Sequence, residues 1–391
     1  MLHVLLIVIF TFGCFSPSQL GLIGLDAFSR PLRMAGYLSG VAYLLINARL
    51  IKLDAPTVAT VLFVALGFVL TGMKGDLSTL YLQTLVAMIL LCLVTQVSLK
   101  SDSSFYVTVA FYVIGFLVIV NAIFILVSLR SHPSGYYQSD DPDAMTGVWL
   151  LGHKNQLRNW IIPAIALSHL LDVVRHKRTT VRTFIVTIVG ILSAYYSDSA
   201  TSFAVLLVFS VLLMLSMLGN WKKPALLDPV VGGAITAATF FVCVFLRKVP
   251  LLGSIIENGL GRDASFTGRT SIWDDAISWI SDEPLGTGFF TVSHSRLVND
   301  SGWVVNHAHD AYLDTTLKYG FVGLAIFLVL IFLAIKSLLG TKDWRVSVAL
   351  SSCLVSFLFC GIFGELFNSG YFLVLYLCCY CDMIGLRADE R

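Results

Sequence analysis

The residues best suited to chemistry lie in one short segment, residues 306–314, between two apolar stretches near the end of the chain. This segment contains two histidines and two aspartates, His307, His309, Asp310 and Asp314. A neutral imidazole can accept a proton near neutral pH, and a neighbouring carboxylate can orient the ring. Ionisable groups at membrane depth are costly and are usually functional. The segment therefore predicts a site of proton transfer at the mouth of a membrane helix.

His309 is the first candidate for the base. Asn306 is predicted to cap the following helix, which would place His309 in the first helical turn. A helix N-terminus disfavours a cationic imidazole, so the neutral ring should predominate at pH 7. The N–H groups of that terminus can also hold phosphate oxygens. The alternative is a structural, hydrogen-bonded histidine in the interfacial region.

Arg269 is the second candidate, and it begins a short amphipathic segment with apolar residues at 272, 273, 276, 277 and 280. The spacing predicts a helix that lies along the membrane surface. A guanidinium keeps its charge and matches the geometry of phosphate oxygens. Arg269 is therefore a candidate for binding an anion, and the alternative is a surface arginine that meets lipid headgroups.

A third polar segment precedes the apolar stretch near 156–174, and a fourth, weaker one spans residues 197–202 with small hydroxyl residues in a turn. Lys154 and Arg158 are one helical turn apart, so both cations can share a face. The alternative for these cations is snorkelling to the membrane interface. The candidate substrate-binding residues of the third segment are His153, Lys154, Asn155 and Arg158.

The elements that must position these residues are membrane helices. Of the 391 residues, 57% are hydrophobic and 13% are charged, against about 25% charged in soluble domains. The net charge of +2 gives no indication of nucleic-acid binding, since the basic residues are scattered between apolar spans. All eight cysteines lie in apolar stretches without metal-ligand spacing, so we expect no metal, no cofactor and no disulfide framework.

About twelve stretches are long and apolar enough to be membrane helices. They lie near 2–24, 34–51, 56–73, 79–99, 105–129, 156–174, 183–197, 202–219, 229–246, 320–339, 346–363 and 368–386. The first is read as a membrane helix rather than a signal peptide, because it has no basic n-region. The predicted fold class is an all-α polytopic membrane protein, with residues 1–391 as one integral membrane domain.

The basic loops set the expected orientation. The run from Arg175 to Arg182 should be cytoplasmic, and alternation then places both termini in the cytoplasm. Arg30 and Arg33 are exceptions on the far side. The largest loop, 247–310, also falls outside, yet it is rich in basic residues, which an anionic substrate would explain. Its basic residues are Arg247, Lys248, Arg262, Arg269 and Arg296.

Together these segments resemble the O-antigen ligase and Wzy/ExoQ-type polysaccharide polymerase superfamily. The family pattern of His, a polar residue, nine residues and Gly-x-x-Gly is met from His309 to Gly323, although Asp310 stands where Asn, Ser or Gln is usual. Residues 268–273 followed by 284–288 match the region before that histidine. Residues 152–157 look like the ExoQ-like branch. Ala200 stands where the family often has a basic residue.

The resemblance implies a fold like that of the C-type glycosyltransferases and an inverting, metal-independent glycosyl transfer at the periplasmic face of the bacterial inner membrane. The donor would be a glycan on undecaprenyl diphosphate. His309 would act as base and Arg269 would bind the diphosphate. Further contacts would come from the third segment and Arg296, with His307 assisting.

The preferred interpretation is a polymerase of exopolysaccharide or O-antigen repeat units, with a chain-length regulator and a flippase as possible partners. One alternative is an O-antigen ligase that transfers glycan to the lipid A core. Another is a polysaccharide transporter or flippase, which would also have about twelve helices and polar groups in the membrane. The concentration of polar groups at the outer face favours an enzyme over a transporter.

Overall fold

The computed structural model describes residues 2–17, 19–76, 78–136, 147–176, 178–218, 228–246 and 269–384. These residues form an almost entirely helical protein with two short hairpins. Residues 247–268 of the large loop, with Arg247, Lys248 and Arg262, lie outside the described residues, as do residues 137–146, 219–227 and the segment after 384.

Twelve α-helices make up the described fold. They are α1 (Leu2–Cys14), α2 (Asp26–Ile46), α3 (Ala55–Lys74), α4 (Thr79–Ser128), α5 (Arg158–His176), α6 (Val181–Tyr196), α7 (Ala200–Leu218), α8 (Pro229–Phe241), α9 (Arg269–Asp282), α10 (Ala311–Gly340), α11 (Trp344–Gly361) and α12 (Ser369–Cys379). The hairpins pair β1 (Val148–Trp149) with β2 (Gly152–His153) and β3 (Leu297–Val298) with β4 (Val304–Val305), both antiparallel.

The helices confirm the predicted fold class of an all-α polytopic membrane protein. Within the described residues, six helices are long and apolar enough to cross a membrane, and others are shorter but apolar. Helix α4 accounts for two predicted spans, because the backbone at Asp102 leaves the helical conformation and divides it. The first predicted span is too long: α1 ends at Cys14, and a 3₁₀ turn, Leu20–Ile23, follows.

One end of the bundle, which we call the site end, gathers the polar segments. Here α5, α7, α10 and α12 begin, and α3, α6 and α11 end. The predicted amphipathic helix α9 is also found there, with Ile272, Trp273, Ala276 and Ile280 buried. It packs on α10 and on the β3–β4 hairpin. The apolar face of α9 therefore packs against the protein.

Candidate active site

The predicted helix cap is wrong by four residues, and the correction explains Asp310. Helix α10 begins at Ala311, and its N-cap is Asp310 rather than Asn306. Asp310 Oδ1 accepts hydrogen bonds from the backbone N–H groups of Tyr312 and Leu313 at 2.8 and 2.9 Å. Asp, Asn and Ser are all favoured N-caps. The departure from the family pattern at this position therefore keeps the capping chemistry.

His309 immediately precedes the cap and has a backbone φ of +51°. This left-handed conformation is uncommon for a residue with a side chain, and such outliers often mark functional sites. The neighbouring loop is held by Asp314, whose Oδ1 accepts a hydrogen bond from the Ala308 N–H at 3.0 Å. Asp314 also pairs with Lys318 at 2.8 Å inside the protein. Asp314 thus fixes the loop that presents His309.

The two histidines are joined to each other. Nε2 of His307 lies 3.1 Å from Nδ1 of His309, and Nδ1 of His307 lies 3.0 Å from Oδ1 of Asn306. Oε1 of Glu365 is 3.6 Å from the same His307 nitrogen. Because the Asn306 and Glu365 oxygens are acceptors, we assign the His307 proton to Nδ1. His307 Nε2 then accepts from Nδ1 of His309, which leaves Nε2 of His309 to take up a proton.

His309 is set up as a neutral imidazole. Burial lowers its pKa to about 2, with further repulsion from His307, Arg269 and His153. Burial likewise lowers the pKa of His153 to about 4, again with nearby cations contributing. The neutral state that the sequence predicted for His309 therefore has a different main cause, which is desolvation rather than the helix dipole.

Two arginines converge on one carbonyl at the site end. Arg269 Nη1 donates to the carbonyl oxygen of Phe363 at 2.9 Å, and Arg158 Nη2 lies 3.5 Å from the same oxygen. The sequence segments that contain Arg269 and Arg158 are therefore neighbours in the structure. Burial and the Arg158 charge lower the pKa of Arg269 to about 10, so its guanidinium stays charged at neutral pH.

Arg158 is buried and has hydrogen-bond donors without partners. Only 3% of the residue is exposed, and its Nε and Nη1 atoms have no hydrogen-bond partner. Among the described residues, no carboxylate forms an ion pair with Arg158 or Arg269. A Cβ atom on Gly364 would come within 2.6 Å of Arg158 Nη2, so a larger residue there would displace the guanidinium. A buried, unpaired cation is costly unless an anion joins it.

His153 adds another donor to this group. Its Nδ1 accepts from the Asn155 backbone N–H at 3.2 Å, so the neutral ring carries its proton on Nε2, which is buried without a partner. The unpartnered donors of His153 and Arg158 make this part of the protein suited to an anion with several oxygens.

The remaining predicted contacts divide between two places. Lys154 forms an ion pair with Asp198 at 3.2 Å, and Asn155 accepts from Ser199 at 2.8 Å, so the third and fourth segments meet. Lys154 and Arg158 therefore contact different elements rather than one shared partner. Arg296 pairs with Asp282, at the far end of α9 from Arg269, and stacks over Trp279. The structure therefore does not place Arg296 with Arg158 and Arg269.

The family glycines join the loop before the site to α10. Gly320 has a φ of +67°, and a Cβ atom there would lie 2.4 Å from the Leu285 carbonyl carbon. Gly288 N–H donates to the carbonyl of Lys318 at 3.0 Å. The 284–288 turn thus fits against a break in α10 that only a small residue permits.

Sequence reasoning missed Glu365. It lies between the predicted spans 346–363 and 368–386, and a lone carboxylate between two apolar spans was the available signal. Nothing in the spacing links it to His307, because 58 residues separate them. The described residues contain no cluster of side chains that could hold a metal ion.

A family of known proteins matches the part of the chain that contains the histidine pair and Arg269. Residues 185–328, which include Arg269, His307 and His309, match the family described as O-antigen ligase. This match agrees with the resemblance to the O-antigen ligase and Wzy superfamily that the sequence motifs indicate. It also supports the prediction of a membrane glycosyltransferase-like enzyme at the level of the family.

Two relatives carry the description putative polysaccharide ligase. The one from Rickettsia felis is 28% identical over 176 residues, which cover 42% of each chain. The one from Rickettsia bellii is 26% identical over 187 residues, which cover 45% of each chain. The chain thus matches less than half the length of these relatives.

Proposed function

We propose that this protein belongs to the O-antigen ligase family and transfers a glycan from a lipid diphosphate to a hydroxyl group of an acceptor glycan. The single observation that carries the proposal is the pairing of two kinds of group at the site end. The histidine pair, in which His309 is neutral, stands beside the guanidiniums of Arg158 and Arg269, which form no ion pair with a carboxylate within the described chain. Glycosyl transfer from a diphosphate needs both a base and a cationic site for the leaving group.

In the proposed step, Nε2 of His309 removes the proton of the acceptor hydroxyl. The hydroxyl oxygen attacks the anomeric carbon while the bond from that carbon to the diphosphate oxygen breaks. The departing lipid diphosphate keeps the electron pair, and the charges of Arg158 and Arg269 stabilise it. Attack from the side opposite the diphosphate inverts the anomeric centre. The new positive charge on His309 is shared with His307 and faces Glu365.

The donor that fits this chemistry is a glycan on undecaprenyl diphosphate, used on the periplasmic side of a bacterial inner membrane, with both termini in the cytoplasm. The acceptor distinguishes two candidate functions. The ExoQ-like segment 152–157 favours a second lipid-linked repeat unit, hence a polymerase. The descriptions of the Rickettsia relatives favour a ligase that acts on a different acceptor. A chain-length regulator and a flippase would be partners of the polymerase.

Purified protein mixed with lipid-linked repeat units in detergent tests the proposal. Polymer formation without a bilayer supports the polymerase, whereas transfer that occurs only after lipid A core is added supports the ligase. No glycosidic product under either condition contradicts both and favours a transporter.

His309→Ala should lower the rate of glycosyl transfer about 10²–10⁴-fold, the usual contribution of a general base. His294→Ala is the matched control. This histidine belongs to the same polar loop as His309, but it contacts Asp76 at 2.8 Å and not His307. Full activity of His309→Ala would contradict the assignment of the base.

A further inference from the structure

A cavity of about 390 Å³ lies at the site end, among residues of α1, α2, α4, α5, α10 and α12. This volume falls in the usual range for ligand pockets, about 300–1,000 Å³. Glu365 and Asn306, which both contact His307, line the cavity. Its chemistry therefore bears directly on what can approach the histidine pair.

The wall of the cavity combines polar and apolar surface. Of the 23 described residues that line it, twelve have polar or charged side chains, and a prenyl chain would leave these groups without hydrogen-bond partners. Both donors and acceptors are present, and sugar hydroxyls can serve as either. The polar lining residues include Arg33, Gln83, Asn159, Asn306, Glu365 and Ser369.

Three polar atoms of the described residues in this wall lack partners, and one of them is Oγ of Ser16. Oδ1 of Asn159, on a residue that is 8% exposed, is a buried acceptor without a hydrogen bond. Nε of Arg33 is a buried donor without one, while its Nη1 donates to Gln83 at 3.2 Å. Buried polar atoms without partners are uncommon and call for a ligand or water. Arg33 is also a cation that the membrane orientation did not explain.

Aromatic rings complete the cavity. Trp160, Tyr37 and Phe289 line it, and Trp160 packs edge to face on Phe15. The apolar C–H faces of a sugar ring can pack on such surfaces while its hydroxyls meet amides and charges. This mixture of flat apolar surface and paired donors and acceptors is what a carbohydrate ring requires.

We propose that this cavity binds the acceptor sugar, and the inference rests on the proposed glycosyl transfer. Asn159 and Trp160 follow Arg158 directly, so the cavity lies beside the first turn of α5, which carries one of the arginines assigned to the donor. An acceptor ring held against Trp160 lies next to the Glu365–His307 pair, on the side from which the base is supported. The cavity would thus select the acceptor, while Arg158 and Arg269 select the diphosphate.

The test uses His309→Ala protein in detergent, so that binding is measured without turnover. The probe is the repeat-unit oligosaccharide released by mild acid from the cell's own surface polysaccharide, titrated by calorimetry. Trp160→Ala should weaken its binding at least about tenfold, and Arg33→Met about threefold or more, on the scale of lost contacts in binding sites. Trp344→Ala is the matched control, because Trp344 begins α11 at the opposite end of the bundle.

Binding of undecaprenyl diphosphate without sugar should be unchanged in every variant, which also shows that the variants are folded. The proposal is overturned if Trp160→Ala and Arg33→Met bind the oligosaccharide as the control does. It is also overturned if the prenyl diphosphate, rather than the sugar, loses affinity. Polymer formation by His309→Ala protein would contradict the base assignment alone and leave the oligosaccharide titration as the test of the cavity.

Discussion

Two buried charges at opposite ends of α5 differ in how they are compensated. Asp172, near the end of the helix, is fully buried, and both of its oxygens are used: it accepts from Thr180, Thr183 and Arg182. Arg158, at the start, is almost as buried, yet two of its nitrogens have no partner. A satisfied buried charge holds a structure together, whereas an unsatisfied one is suited to receiving a ligand.

The largest effect should come from breaking the satisfied end. Asp172→Ala removes the carboxylate that pairs with Arg182 and that accepts hydrogen bonds from the hydroxyls of Thr180 and Thr183. We expect a loss of about 3–5 kcal/mol of unfolding free energy, with turnover per folded molecule unchanged. Thermal unfolding in detergent and activity corrected for folded protein measure the two. A stable but inactive variant would contradict the comparison.

The site end should respond in the opposite way. Arg269→Met removes a guanidinium from the proposed diphosphate site, and we expect transfer to fall about 10²–10³-fold, as when a donor to developing charge is lost. Thermal stability should change little, because Arg269 has no carboxylate partner in the described chain.

Arg296→Met is the control for this prediction. Both arginines belong to the same polar loop, but Arg296 is 59% exposed and contacts Asp282 and Trp279. Its activity should stay near wild type. Equal losses in the two variants would show that general positive charge, rather than the Arg158–Arg269 pair, matters.

The sequence predicted the helical architecture and much of the site for a physical reason. Long apolar runs leave few alternatives to helices in a membrane. Arg269 and His309 stood out because charge and imidazole are rare in such a chain, and the structure brings Arg269 beside Arg158. Their catalytic roles stay predictions.

Other features depend on contacts that spacing does not encode. Glu365 meets His307 only through the packing of α10 against the turn before α12. Asn306 and Asp310 both fit the residue preference of an N-cap, and only the backbone shows which one caps α10. Arg296 had the right residue type but lies beyond the other end of α9. In each case tertiary geometry chose among residues that the sequence makes equivalent.

Glu365→Gln sharpens the comparison within the site end. Glutamine keeps an oxygen near His307 Nδ1 but removes the negative charge that would stabilise a protonated histidine pair. We expect kcat to fall about tenfold, equivalent to about 1.4 kcal/mol, with KM for the donor unchanged. Steady-state kinetics with lipid-linked donor separates the two constants. A change confined to KM would make Glu365 a binding residue rather than one that positions the base.

Asp310→Asn should have a smaller effect. Burial raises the pKa of Asp310, which favours its neutral form, and asparagine reproduces both that neutrality and the cap. Activity should remain within about threefold of wild type, whereas Asp310→Ala should lose about 1 kcal/mol of stability with the cap. A collapse of activity in Asp310→Asn would show that an ionised carboxylate is needed.

The smallest effect is expected from acid. His309 must be neutral to accept a proton, and its pKa is lowered to about 2, so it stays neutral well below the ordinary histidine pKa. kcat/KM, which reports the free enzyme, should change less than about twofold between pH 7.5 and 5.5, whereas a histidine of ordinary pKa would lose about tenfold. Arg269→Met should move the acid limb to higher pH, because it removes a cation that disfavours protonation of His309. The alternative outcome is an acid limb near 6.5 in wild type that Arg269→Met does not move. It would mean that the proton acceptor is not His309 beside Arg269, and that the unsatisfied end of α5 does not hold the base.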